Sequence, residues 1–193
     1  MAKQKYYAVF KGRCPGIYLS WDECQQQVKG FKGADFKSYP TEGAAKDAFK
    51  QINTRLTENP ISDSIAVDAS CMGNPGIVEY RGVFTETGVL FFENKNIGIG
   101  TNNLGEFLAI VHALSLLKKE NKNTLIYSDS KTAMAWVRNK KVKSVLDRTE
   151  KTKIIWQLVD RALIWLLENT YENKIEKWPT ELWGEIPADY DRK

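Results

Sequence analysis

Three acids stand out because each is set into an apolar segment. Asp68 follows Ile65-Ala66-Val67, a short apolar run of the kind that forms a buried strand. Asp129 closes a second such run, Leu125-Ile126-Tyr127-Ser128. Glu106 lies between them, near the start of a segment in which Leu104, Phe107, Leu108 and Val111 recur at helical spacing. One carboxylate in a buried strand is costly unless partnered, and a hydrogen bond to the neighbouring turn would satisfy it. Two such strands side by side, however, bring both carboxylates to one place, and a helix opening over the sheet's end adds the third. Without a cation these charges repel strongly. Hard oxygen donors suit Mg²⁺ or Mn²⁺, and two carboxylate-clamped ions are a device for in-line cleavage of phosphodiesters.

The surrounding elements must place those groups. Gly73-Asn74-Pro75-Gly76 is a turn after the first acid; it lacks the Gly-Lys-Ser/Thr ending of a phosphate-binding loop. Residues 79–85 and 88–93 form strands around a Thr-Gly turn. Residues 102–119 and 130–139 are helices, the second carrying Trp136, and residues 149–169 form a long amphipathic helix. Residues 138–143 are a basic loop, residues 174–178 a last strand, and residues 181–191 an acidic end. The one histidine, His112, sits mid-helix as a packed or surface imidazole rather than a general base.

The chain has 193 residues, 42% hydrophobic and 27% charged, enough for one or two domains with a proper core. No apolar run approaches the ~20 residues of a membrane span, and the first residues lack the apolar centre of a signal peptide. Cys14, Cys24 and Cys71 show no C-x-x-C pattern, so they read as free thiols in a reducing, cytoplasmic setting. Residues 1–60 hold 10 Lys and Arg against 6 Asp and Glu, and residues 61–193 hold 18 of each. The positive excess therefore lies in the first third, which suits an anchor for a polyanion.

That first third has its own pattern. Residues 6–10, 17–19 and 35–39 are β-prone; Ser20 and Glu23 frame a capping box for a helix over 21–28, and Thr41 starts a second helix. Three strands and two helices make a small α+β module. Polar residues 51–61 read as a linker.

D-A-S-x-x-G-N-P-G, T-N-N-L-G-E-F-L-A-I, Y-S-D-S-K-T-A and the closing W-G-E-I-P-A-D-Y, in that order, resemble type 1 ribonuclease H of the bacterial kind. The resemblance implies an α/β fold, a mixed five-stranded sheet flanked by helices, over residues 62–193. It implies Asp68, Glu106 and Asp129 as metal-binding acids, with a fourth, Asp189, from the tail and Asp191 as its rival. Glu185 matches an acid tied to product release. Two Mg²⁺ ions, or Mn²⁺, would serve hydrolysis of the RNA strand of RNA–DNA hybrids, with Asp68 bridging both and products bearing 5′-phosphate and 3′-hydroxyl. Cys71, Asn102 and Asn103, together with Glu106, match positions beside the minor groove, where 2′-hydroxyls mark RNA, and Asn74 is a further substrate-binding position. Thr101, Asn103, Ser144 and Thr180 match a pocket for a DNA phosphate, with Val145 where a hydroxyl residue is usual, and Trp136 matches an aromatic along the DNA channel.

Y-A-V-F-K-G-R, G-I-Y-L-S-W-D-E-C, F-K-S-Y-P-T-E and A-x-x-A-F resemble the hybrid-binding (viroplasmin-like) domain, placed over residues 1–50. This implies that Tyr7, Trp21 and Phe36 pack on DNA while Lys37 meets RNA; flat aromatics suit sugars and bases, and Lys suits phosphate. Asp35 and Ser38 replace bases common there, which weakens the expected binding. The expected protein is a monomeric endoribonuclease that acts on hybrids, with no membrane partner. Two other classes remain: a non-catalytic hybrid- or duplex-binding protein on the same fold, and a resolvase- or integrase-type nuclease.

Overall fold

The computed structural model describes residues 4–57 and 59–190, with residues 51–57 as backbone alone. The chain divides into two units, residues 1–59 and 60–193.

In the first unit β1 (Tyr6–Lys11) is flanked antiparallel by β2 (Gly16–Tyr18) and β3 (Asp35–Tyr39). Helix α1 (Trp21–Val28) starts at the expected capping box: Ser20 Oγ accepts from the Glu23 N–H and Glu23 Oε2 from the Ser20 N–H, each at 3.2 Å. Val9 packs with Cys24 and Val28 of α1, whereas Phe10 stacks on Phe49 of α2 (Glu42–Thr57). Thr41 Oγ1 caps α2 by accepting from the Ala44 N–H at 3.2 Å. Residues 51–57, expected as linker, continue this helix. Polarity alone misled there: no Gly or Pro falls between Gly43 and Pro60 to stop it.

In the second unit β4 (Ser64–Gly73), β5 (Gly76–Phe84) and β6 (Leu90–Asn94) form an antiparallel meander. After α3 (Asn102–Lys119), β8 (Leu125–Ser128) returns parallel to β4; after α4 (Lys131–Asn139) and α5 (Lys153–Glu168), β9 (Ile175–Lys177) lies parallel to β8. A short α6 (Thr180–Trp183) follows. Strand order is β6-β5-β4-β8-β9, the expected five, plus a two-residue β7 (Ile99–Gly100) on β5 that makes the sheet six-stranded. Two residues are too few for periodicity to reveal. The expected helix over 149–169 opens instead as a 3-10 turn, Glu150–Thr152, before α5 begins.

Alternation along β4 sorts its side chains onto two faces. Ile65, Val67 and Ala69 face the main core with α3, α4 and α5; Ala66 faces a second cluster with Val83, Leu125, Tyr127, Trp178, Ile186 and Ala188. Helix α3 is buried around most of its circumference from Leu104 to Leu117. Gly105 allows its close approach, since a Cβ there would stand 2.7 Å from Val78 Cγ1 and 2.8 Å from Ala69 Cβ. That contact draws Glu106 down onto the sheet. Among the described residues no helix is long and apolar enough to cross a membrane.

Candidate active site

Parallel pairing of Val67 with Ser128 aligns the ends of two central strands, so Asp68 and Asp129, one residue further on each, emerge side by side. Strand β4 continues through Asp68 to Gly73 rather than stopping at it. Glu106, in the first turns of α3, completes the group: one carboxylate oxygen from each of Asp68, Glu106 and Asp129 lies within 4.8 Å of the others. Asp68 and Glu106 are 7% and 6% exposed, and Asp129 is half-buried.

Burial of charge dominates here. Burial chiefly, then the Asp129 charge, with a smaller push from Asp189, raises Asp68 to about 7 against the pull of the Ala69 N–H and Arg81. Glu106 is pushed up to about 8 by burial and by Asp129 and Asp68, with Lys177 opposing. Burial also raises Asp129, again against Lys177. Lys177 ends β9 opposite Ser128. No sequence pattern singles out this lysine, because only the β8–β9 register brings it to the acids.

The donor set fits divalent cations. Glu106 Oε2 and Asp129 Oδ1 are buried without a hydrogen-bond partner, a costly state that a cation would relieve. The other Glu106 oxygen accepts from Asn102 Nδ2 at 2.7 Å, which fixes the carboxylate's orientation. Hard oxygen donors at this spacing suit Mg²⁺ or Mn²⁺.

The tail acids are placed differently. Asp189 is half-buried, outside the tight trio but within electrostatic reach of Asp68 and Asp129. Glu185 is exposed and reaches Asp129 electrostatically. Asp191 lies outside the described residues.

The matching substrate positions vary in accessibility. Asn74 and Asn103 are exposed, while Thr101, Asn102, Ser144 and Thr180 are half-buried. Cys71 Sγ lies 3.4 Å from the Gly100 carbonyl, and burial raises its thiol. Val145 is fully exposed. Trp136, expected along a channel, is only 8% exposed and sits edge-on to Phe107 in the main core. His112 packs against Phe92 and Tyr80, its Nδ1 3.3 Å from Tyr80 Oη and 3.2 Å from Asn94 Nδ2. Burial lowers its pKa, consistent with a packed imidazole.

In the first unit Trp21 stands between Tyr7 and Phe36, with ring centroids 5.7 and 5.5 Å away. Trp21 and Phe36 remain 42% and 39% exposed, so this is an open aromatic surface rather than core. Lys37 does not join it. Pairing of Val9 with Phe36 and Ala8 with Lys37 sends the lysine to the other face of the edge strand, 5.8 Å from the Tyr39 ring.

A family profile described as RNase H matches residues 62–174, and one described as Ribonuclease H1 N-terminal domain matches residues 5–49. A Ribonuclease H of Crithidia fasciculata is 50% identical over 44 residues, covering 23% of this chain and 9% of that protein. A Ribonuclease H of Saccharomyces cerevisiae is 47% identical over 55 residues, covering 28% and 16%. The chain thus spans under a fifth of the length of either relative. A solved structure, LC11-RNase H1 isolated from compost by a metagenomic approach, aligns at 24% identity and TM-score 0.42, covering 63% of this chain and 88% of that one.

Proposed function

Because the chain belongs to the ribonuclease H family, we propose that it is an endoribonuclease cutting the RNA strand of RNA–DNA hybrids with two Mg²⁺ ions, Mn²⁺ being able to replace them. The observation that carries this reading is the convergence of Asp68, Glu106 and Asp129 from β4, α3 and β8. Asp68, Glu106 and Asp129 would hold the ions, with Asp189 as the fourth acid. Bound there, divalent cations neutralise charge on the scissile phosphate and lower the pKa of a coordinated water.

The chain's own groups do the rest. Asn102 holds Glu106 in one orientation. Lys177 offsets part of the acids' mutual repulsion. Cys71, Asn102 and Asn103, with Glu106, would read the minor groove, where 2′-hydroxyls are the groups that distinguish RNA, and Asn74 would add a further substrate contact. Thr101, Asn103, Ser144 and Thr180 would seat a DNA phosphate, and Val145, lacking a hydroxyl, leaves that seat one donor short. Hydrolysis adds water across the P–O3′ bond, leaving 5′-phosphate and 3′-hydroxyl ends. The Tyr7–Trp21–Phe36 surface would pack on the DNA strand, and Lys37, at the sheet edge, would meet phosphate from the side. The active form is a monomer on this reading.

Cleavage of a labelled hybrid with Mg²⁺, compared with duplex RNA and four-way DNA, tests it. Selective cutting of hybrid RNA that disappears in Asp129→Asn is expected. Undiminished cutting by that variant would overturn the assigned site, and preference for four-way DNA the assigned substrate.

A further inference from the structure

We propose that Arg81 is a positioning residue that holds Asp189 against the metal-binding acids. The proposal rests on the metal-site reading above. Arg81 is the cross-strand partner of Asp68 on β5, and on its other side it pairs with Glu93 of β6. Directly paired residues share a face, so Asp68, Arg81 and Glu93 form an acid–base–acid row across three strands. This is the face on which Ala66 and Val83 pack against Ile186 and Ala188.

The guanidinium grips three consecutive tail residues. Arg81 Nε donates to the Ala188 carbonyl at 2.9 Å, Nη2 donates to the Asp189 carbonyl, and the group lies 4.4 Å from the centre of the Tyr190 ring. A planar fork with several donors suits this; a lysine offers one point charge. The segment needs such a grip because β9 ends at Lys177 and none of the described residues beyond it joins a strand. Its other anchors include buried Ile186 and Ala188 and the bond from Trp178 Nε1 to the Gly184 carbonyl at 2.9 Å. The Asp189 N–H also donates to the Ile186 carbonyl at 2.8 Å, a turn within the tail that Arg81 ties to the sheet. Arg81 acts at the residue whose carboxylate matters.

The test uses the full chain with Arg81→Met and Arg81→Lys, alone and combined with Asp189→Asn. Mn²⁺ binding by calorimetry, hydrogen exchange over residues 184–190, and kcat and KM on a hybrid are measured. Arg81→Met is expected to weaken Mn²⁺ binding about tenfold, the scale for a group that orients a metal ligand. It should speed exchange in the tail and lower kcat with little change in KM. On top of Asp189→Asn it should cost less than about twofold, because both changes remove the same contribution. Arg81→Lys should recover part of each loss, and it carries the comparison should the Met variant not fold. Wild-type Mn²⁺ affinity and tail exchange in both variants, or full multiplication with Asp189→Asn, would overturn the role of Arg81. A wild-type chain that binds no Mn²⁺ would instead overturn the metal reading itself.

Discussion

The two units present their functional groups in opposite ways. In the first, Trp21 and Phe36, with half-buried Tyr7 beside them, form an apolar surface left open to water. In the second, Asp68 and Glu106 are carboxyl groups driven into a sheet, pushed up to about 7 and 8 by burial and by their acidic neighbours. Each arrangement disfavours the free protein: one exposes aromatic area, the other desolvates carboxylates. Each would be relieved by its own ligand, a nucleic-acid face in one case and divalent cations in the other. The contrast separates the two experimentally. Changes in the second unit should move catalysis, metal affinity and pH dependence, whereas changes in the first should move hybrid affinity and salt dependence.

The sharpest break would come from Asp129→Asn. Hybrid cleavage should fall by roughly 10³-fold or more, the scale for losing one essential member of a catalytic group, while hybrid binding stays close to wild type. A matching collapse of binding would erase the division of labour between the units.

Stability against pH comes next. Metal-free Asp68 and Glu106 keep their protons to about pH 7 and 8, whereas unfolded carboxyls release theirs near pH ~4. Between those limits the native state binds more protons, so stability declines as pH rises. Each group contributes a few kcal/mol to that decline, since each tenfold difference in proton affinity between the folded and unfolded chain is worth roughly 1.4 kcal/mol. Asp68→Asn should flatten that decline in thermal melts across pH 5 to 9. Added Mn²⁺ should reverse it, because binding releases protons and tightens as pH rises. A melt indifferent to pH would contradict the burial argument.

Trp21→Ala should weaken hybrid binding by about 1–3 kcal/mol, the range for loss of one base–aromatic contact. Cleavage of saturating hybrid and the pH profile should stay unchanged. Fluorescence anisotropy with catalytically dead protein measures the first, and a shift in the pH profile would blur the separation of the units.

The smallest effect belongs to Lys37→Ala. Loss of one phosphate contact should reduce the slope of log affinity against log salt by about 1, uniformly across hybrid sequences. An unchanged slope would leave the basic character of residues 1–60 without a contribution from Lys37.

Much of the fold was legible because its signals are local. The capping box at Ser20 and Glu23 spans three residues, and Leu104, Phe107, Leu108 and Val111 mark α3 by their own spacing. The trio of acids was legible because each sits where an apolar run makes an acid conspicuous. Helix α2 beyond residue 50 and strand β7 were missed, the first because polar residues without a breaker still propagate a helix, the second because two residues carry no period. The separation of Lys37 from Phe36, the near-complete cover over Trp136 and the reach of Lys177 toward the acids were invisible for another reason. Each depends on which strand or helix lies alongside.

The amino-acid order alone determined most of the segments that become strands and helices, β7 and the end of α2 apart, and which carboxylates and aromatic rings are available for chemistry. Tertiary structure decided who meets whom: Asp68 beside Asp129 through parallel pairing, Glu106 lowered onto them through Gly105, and the 188–190 tail clasped by Arg81. Local conformation is set by forces acting within about one helical turn or one strand alternation, while strand register and helix docking are settled between residues tens of positions apart, where no short pattern records the outcome.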